Sequence, residues 1–294
     1  MKLENIKRNI LYFAISLLAV YFLTIILSML FGLNIGGQKR NKIGLINLEG
    51  VIISSNSFID QLKEVKKDDN MPAIVIRIDS PGGAVAPSQE IYSELLKFKE
   101  KTKKKVVASV ASMGASGGYY IACAADKIIA NPGSMTGSIG AIIKLQNLKD
   151  LFEKIGYEEQ VIKSGKFKDI GSYSRKLTNE ERELFQGLVD DIHQQFIESV
   201  AKSRDLKIED IKKIADGRIF TGQQAMEFHL IDSLGTLEDA IDSAAELSGI
   251  TGKPKIINLE KEPSMFETVK DFIEKKLDLN PFSRTPISLQ YIVF

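Results

Sequence analysis

From Lys42 onward, short apolar runs alternate with helical stretches, and this alternation leaves few folds open. Candidate strands are Ile43–Leu48, Ala73–Ile78, Val106–Val110, Lys127–Ala130, Gly140–Ile143, Glu159–Ile162 and Lys255–Leu259. Most are rich in Ile and Val and about five residues long, as strands buried on both faces are. Pro87 suits the first turn of a helix running to about Lys101. Thr178 with Glu181 and Thr221 with Gln224 have capping-box spacing. After Thr178, residues Leu184, Phe185, Leu188, Val189, Ile192, Phe196 and Val200 form one apolar stripe. Strand–helix alternation predicts an α/β domain with a mostly parallel sheet. No internal repeat is visible, and the length of 294 residues fits one or two domains.

Ile10–Leu33 contains no charged residue over 24 positions. A helix needs about 20 residues to cross a bilayer core, so this run is long enough to anchor the chain. A cleaved signal peptide would have a shorter apolar region, about 7–15 residues, and a small-residue cleavage site. No clear site of that kind follows Leu33. Lys2, Lys7 and Arg8 precede the run, and Lys39, Arg40 and Lys42 follow it. The positive-inside count is nearly tied and leaves the orientation open. The expected division is an N-terminal segment (1–9), an anchor (10–33), a linker (34–42), an α/β domain (43–250) and a strand, helix and apolar tail (251–294), the last ending in ISLQYIVF.

Composition narrows the function. The 39 Lys and Arg against 38 Asp and Glu argue against a nucleic-acid binder driven by bulk positive charge. The single cysteine, Cys123, excludes an intramolecular disulfide framework and reads as a small buried hydrophobe. Two histidines, His193 and His229, leave little room for a histidine metal site, and no cofactor or metal is expected.

Three glycine-rich loops follow strands: Asp79-Ser80-Pro81-Gly82-Gly83, Ser112 to Gly118, and Thr136 to Gly140. Loops at the carboxyl ends of parallel strands are where α/β folds place their sites. Ser116 stands between a strand and an apolar stretch, Gly117–Ala125, that reads as a helix. It is either a plain N-cap or a nucleophile at the helix's positive end. As a nucleophile it would have the Gly117 amide and an amide of the Gly82-Gly83 turn to hold a developing oxyanion. A serine hydroxyl needs a base. His193 lies mid-helix, where a surface position is expected, and His229 lies near a helix end; neither belongs to a glycine-rich loop. A lysine can serve if burial keeps it neutral. Lys166 and Lys168, in SGKFKDIGS, are indistinguishable on this ground, and each is otherwise an ordinary surface lysine. Tyr119 and Tyr120 read as packing residues, and Asp79 and Asp126 as structural.

SPGG, ASGGYY, ANP, TGSIG and SGKFKDIGS, in that order, followed by DGRIFTGQQAMEFHLIDSLG, resemble the signal peptide peptidase A family over roughly 43–250. The likeness is to its short, single-domain form. It implies the ClpP/crotonase fold and a Ser/Lys peptidase. By position it makes Ser116 the nucleophile, Lys168 the general base and Ser138 the residue that orients the lysine. The amides of Gly83 and Gly117 become the oxyanion hole. Lys166 stays a stand-in, because side chains two apart on an extended segment share a face.

The resemblance also implies a catalytic domain outside the cytoplasm. It further implies a ring-like homo-oligomer and hydrophobic peptide substrates such as signal-peptide remnants in the membrane. Such a peptide would add as a strand near the SPGG loop. Two rivals share the fold. A crotonase-type acyl-CoA enzyme would work through acidic residues and would need neither an anchor nor a serine nucleophile. A non-catalytic membrane scaffold would show no peptide turnover.

Overall fold

The computed structural model of the chain describes residues 2–30, 41–260 and 289–292, with side chains described at 12–27 and 41–260. It divides into two units, Met1–Arg40 and Asn41–Phe294. The first unit is helix α1, Lys2–Leu30. It covers most of the charge-free run, whose last residues, 31–33, lie outside the described residues. Among the described residues no helix is long and apolar enough to cross a membrane.

In the second unit, β1 (Lys42–Glu49), β2 (Ala73–Ser80), β4 (Lys105–Ala115), β5 (Lys127–Ala130), β9 (Ser233–Leu234) and β10 (Lys255–Asn258) lie in the order β10-β1-β2-β4-β5-β9. Every neighbouring pair in that order is parallel. Strand β6 (Met135–Gly137) continues the sheet beside the end of β4, and β8 (Ile219–Thr221) pairs with it antiparallel. The remaining strands, β3 (Gly82–Ala84), β7 (Ile142–Ile143) and β11 (Leu289–Ile292), form a second sheet in the order β3-β11-β7. The helices of this unit are α2 (Asn56–Lys67), α3 (Val85–Thr102), α4 (Gly117–Ala122), α5 (Lys149–Lys154), α6 (Asn179–Arg204), α7 (Ile208–Lys212), α8 (Gly222–Glu227) and α9 (Leu237–Ser248). The α/β class and the mostly parallel sheet are as expected.

Period-two alternation sorts the strand residues onto two faces. Ile74, Ile76 and Ile78 of β2 join Val106, Ala108 and Val110 of β4. Helices α2, α3, α4 and α6 cover that face with Phe58, Leu62, Leu95, Tyr119 and Phe196. Ala73, Val75 and Val107 lie on the other face, covered by Ala240, Ile241 and Ala244 of α9. Both capping boxes form: Thr178 accepts from Glu181 N–H, and Thr221 from Gln224 N–H, each with the reciprocal bond.

Four expectations need correction. Glu159–Ile162 is no strand; it is exposed and unpaired with the sheet. Its apolar residues, Val161 and Ile162, are left exposed because no neighbouring strand pairs with this stretch. The Gly140–Ile143 strand begins only at Ile142, and the helix after Ser116 ends at Ala122 rather than Ala125. The α6 stripe is buried at Ile192, Phe196 and Val200, but Leu184 and Leu188 are exposed, because the helix outruns the body that covers it. The helix expected within 262–294 falls on 261–288, outside the described residues.

Candidate active site

Ser116 sits on the step from β4 into α4. Its backbone is at φ 54° and ψ −118°, left-handed territory that a residue with a Cβ enters at a cost of about 1–3 kcal/mol. The turn is held from both sides: Ser116 N–H donates to Gly137 C=O at 2.8 Å, and Ser116 C=O accepts Tyr120 N–H at 2.8 Å. The hydroxyl caps nothing, although the residue occupies the N-cap position and is only 1% exposed. The plain-cap reading therefore lacks its hydrogen bond. A sharp strand-to-helix turn that presents a free serine hydroxyl suits a nucleophile.

The SPGG loop comes to the same place. Gly82 has φ 97°, and its N–H donates to Ser80 Oγ at 3.1 Å, while the Ser80 hydroxyl donates to Gly50 C=O at 2.6 Å. This fixes the turn into β3. Ile52 lies along one edge of β3, donating to Gly82 C=O and accepting from Ala84 N–H. A Cβ built on Gly117 would stand 3.3 Å from both Gly82 Cα and Gly83 N. Gly83 and Gly117 are thus immediate neighbours beside Ser116, the arrangement an oxyanion hole needs.

Ser138 arrives by register. Ala115 of β4 pairs with Gly137 of β6, so the next residue on each strand is a serine. Both serines adopt positive φ, 54° at Ser116 and 51° at Ser138, and both are buried. Ser138 N–H donates to Arg218 C=O at 2.9 Å.

Lys168 stands apart from this buried group. It is exposed, and its amine has no partner among the described residues. Its loop is a run of tight turns, with Lys168, Ile170 and Ser172 amides each bonding the carbonyl three residues back. The expectation that Lys166 and Lys168 share one face of an extended segment is therefore overturned. Lys166 is instead paired with Glu180 and lies 5.3 Å from the Phe167 ring centre. Geometry separates the two lysines that sequence alone left alike.

Sequence reasoning missed the group that holds this loop. Arg175 donates to Asp169 at 3.0 Å and to both oxygens of Glu181, at 2.8 and 2.5 Å. Lys163 donates to the other Asp169 oxygen at 2.5 Å. Asp169, next to Lys168, is so tied to the N-terminus of α6. The one sequence signal was an arginine three residues before the Thr178 cap. Arg175, with the Thr178 amide, holds the Glu181 carboxyl down to about 2 from an ordinary 4.5. A depressed carboxylate stabilises the fold fully above its unfolded value and loses that contribution as pH falls. Arg175→Gln is therefore expected to flatten the loss of thermal stability between about pH 4.5 and pH 2. Melting curves followed by circular dichroism across that window check this; an unchanged acid limb would refute it.

The other candidates are structural. Burial raises the Cys123 thiol to about 11. Tyr119 donates to Leu230 C=O at 2.8 Å, and Tyr120 meets the Ser199 hydroxyl at 2.9 Å. Asp79 accepts Met113 N–H, and Asp126 accepts Val106 N–H and pairs with Lys99. His193 is not the surface residue expected: its Nε2 is buried and has no partner among the described residues. His229, at φ 57°, is exposed.

Known proteins supply the remaining comparison. A family profile described as Peptidase family S49 matches residues 98–251, more than half of the chain, and one described as Clp protease matches 45–136. A putative protease of Synechocystis sp. is 49% identical over 215 residues, covering 72% of this chain and 76% of that one. A putative signal peptide peptidase SppA of Enterococcus faecium is 35% identical over 228 residues, covering 73% of this chain and 66% of its own. Protease 4 of Salmonella typhi is 33% identical over 219 residues, and this chain spans 35% of its length. The strand–turn–helix that presents Ser116 thus falls within a matched stretch, and the chain belongs to peptidase family S49, as a serine-type peptidase of the signal peptide peptidase A family.

Proposed function

We propose that the chain is a membrane-anchored endopeptidase that cleaves hydrophobic peptides, signal-peptide remnants among them, through a Ser116/Lys168 dyad. The observation that carries this reading is the buried, uncapped Ser116 hydroxyl held on a strained turn between Gly83 and Gly117. Neutral Lys168 takes the proton from Ser116 Oγ as that oxygen attacks the peptide carbonyl. The Gly83 and Gly117 amides hold the oxyanion. Lys168 then returns the proton to the departing amine, and water activated by the same lysine releases the acyl group. Ser138, level with Ser116 across the β4–β6 register, accepts or donates a bond that aims the amine.

A lysine stays neutral near neutral pH only out of water. Lys168 is exposed in the single chain, so a second copy supplies its cover. Uncovered apolar side chains support a homo-oligomer, ring-like with its sites inside: Leu184 and Leu188 on α6, and Ile155 and Ile162 ahead of the lysine loop. The charge-free Ile10–Leu33 run is the argument for an anchor, with the N-terminus cytoplasmic and the catalytic domain outside.

Hydrolysis of a fluorogenic hydrophobic peptide tests the assignment of the base. Lys168→Ala is expected to lose about 10³–10⁴-fold in kcat, the upper part of the usual range for a general base. Lys166→Ala keeps near-normal activity. The reverse pattern would move the base to Lys166.

A further inference from the structure

One end of the α/β unit gathers lysine. Lys97–Lys105, from the end of α3 into β4, holds six lysines against one acid, Glu100, and Lys63–Lys67 of α2 holds three against Glu64. Hydrogen bonds draw the two stretches together. Lys104 Nζ donates to Val65 C=O at 2.6 Å and to Asp68 C=O at 2.7 Å, and Lys42, the first residue of β1, pairs with Asp68 at 2.9 Å. Lys99 is taken by Asp126. Lys63, Lys66, Lys67, Lys97, Lys101 and Lys103 are left exposed. Lys63 pairs with Asp60 and Lys97 with Glu94, but these are exposed i,i+3 pairs and therefore weak. Lys66, Lys101 and Lys103 form no ion pair among the described residues.

Helix dipoles account for part of this charge. Lys66 and Lys67 lie in the last turn of α2, and Lys99 and Lys101 in the last turn of α3, where cations are favourable. Lys63 and Lys97 lie ahead of those turns, and Lys103 lies beyond α3. Lys103 also has φ 60° at the helix terminus, a conformation that glycine or asparagine usually fills. Between α2 and α3 the lysines rim a cavity of about 210 Å³ with an apolar floor of Ile59, Leu62 and Phe98. A cationic rim over an apolar floor is complementary to an anionic headgroup on an apolar stem.

The path of the chain favours one source for that ligand. Lys42 is where the chain enters the sheet, and only residues 34–41 separate it from the charge-free run. Eight residues, fully extended, reach about 28 Å at most. With that run in a bilayer, the lysine end is the end tethered within reach of the headgroups. Strand β4 leads from Lys105 here to Ala115 beside Ser116, about 30 Å away at ordinary strand rise, so a surface docked at this end leaves the nucleophile uncovered. We infer that the lysine-rimmed ends of α2 and α3 form a docking surface for anionic phospholipid headgroups. The inference takes its geometry from the anchor proposed above, and its chemistry from the lysines themselves.

The full-length protein tests it in vesicles of phosphatidylcholine alone or of equal parts phosphatidylcholine and phosphatidylglycerol. A fluorophore at Asp69→Cys, an exposed position beside α2, reports energy transfer to an acceptor on the lipid headgroups, and the buried Cys123 stays unlabelled. Transfer is expected to be higher in the anionic vesicles and to fall with salt. Each lysine at an anionic surface favours docking about fivefold, so the triple variant Lys66→Gln, Lys101→Gln, Lys103→Gln is expected to lower the docked-to-free ratio about 100-fold. The corresponding arginine triple keeps it, and circular dichroism melts of both triples match the parent. Equal transfer in the two kinds of vesicle overturns the inference, as does transfer that the glutamine triple leaves unchanged. Flotation with phosphatidylcholine vesicles at high salt reads the anchor separately. A chain that does not float there, but binds the anionic vesicles through the three lysines, loses the anchor and keeps the surface. A chain that floats there and shows no response to phosphatidylglycerol keeps the anchor and loses the surface.

Discussion

Ser116→Ala is expected to lower peptide turnover by about 10⁴–10⁶-fold, the range seen when a serine nucleophile is removed, while thermal stability stays within about 0.5 kcal/mol. The two halves of that expectation come from one observation. The Ser116 hydroxyl makes no cap bond, so alanine removes no structural interaction, and alanine bears the same left-handed backbone at a similar cost. A serine acting as an N-cap would behave oppositely: its loss costs about 1 kcal/mol and has no reason to abolish hydrolysis. Peptide hydrolysis and a melting curve on the same preparation decide between them. Retained turnover with a lowered melt would return Ser116 to a capping role. A fluorophosphonate probe that labels the wild type and spares the alanine variant is the matching chemical result.

Gly83→Ala should be damaging for a different reason. Its new Cβ would lie 2.1 Å from Ile52 O and 2.5 Å from Ile52 N. Both are backbone atoms engaged in the bridge that holds β3, so neither can swing aside. Strand β3 has to move, and the Gly83 amide moves with it. Losing one oxyanion donor lowers kcat about 10²–10³-fold, and the forced shift costs about 1–3 kcal/mol of stability. Gly133→Ala is the control: open space surrounds its Cβ position and its φ is not positive. It is expected to leave kcat untouched. A Gly83→Ala enzyme with normal kcat would show that this amide does not serve the oxyanion.

The sequence disclosed most where local chemistry and tertiary need coincide. Ala73–Ile78 and Lys127–Ala130 read as strands because unbroken apolar runs suit a sheet covered on both faces, and Ile76 and Val75 do bury on opposite sides. Thr178 and Thr221 announced helix starts through side chains that bond only three residues away. Ser116, Gly83 and Gly117 could be nominated from their loops, but their meeting depends on the Ile52 bridge and the β4–β6 register, which no local pattern encodes. Strands β3, β6, β8, β9 and β11 are two to four residues long and, unlike Lys127–Ala130, carry no unbroken Ile/Val run to mark them. Glu159–Ile162 failed for the complementary reason. Its composition resembles a strand, but pairing is a property of neighbours, and none lies beside it. The loop geometry of Lys168 was hidden because Arg175, Asp169 and Glu181 are brought together by charge across six-residue gaps.

The pairing of Ala115 with Gly137 has an evolutionary corollary. Two serines keep level only while β4 and β6 keep step, and a single-residue insertion ahead of either would turn its side chain to the opposite face of the sheet. Length changes inside Met113–Ser116 or Met135–Ser138 should therefore be purged in descendants of this gene wherever hydrolysis is under selection.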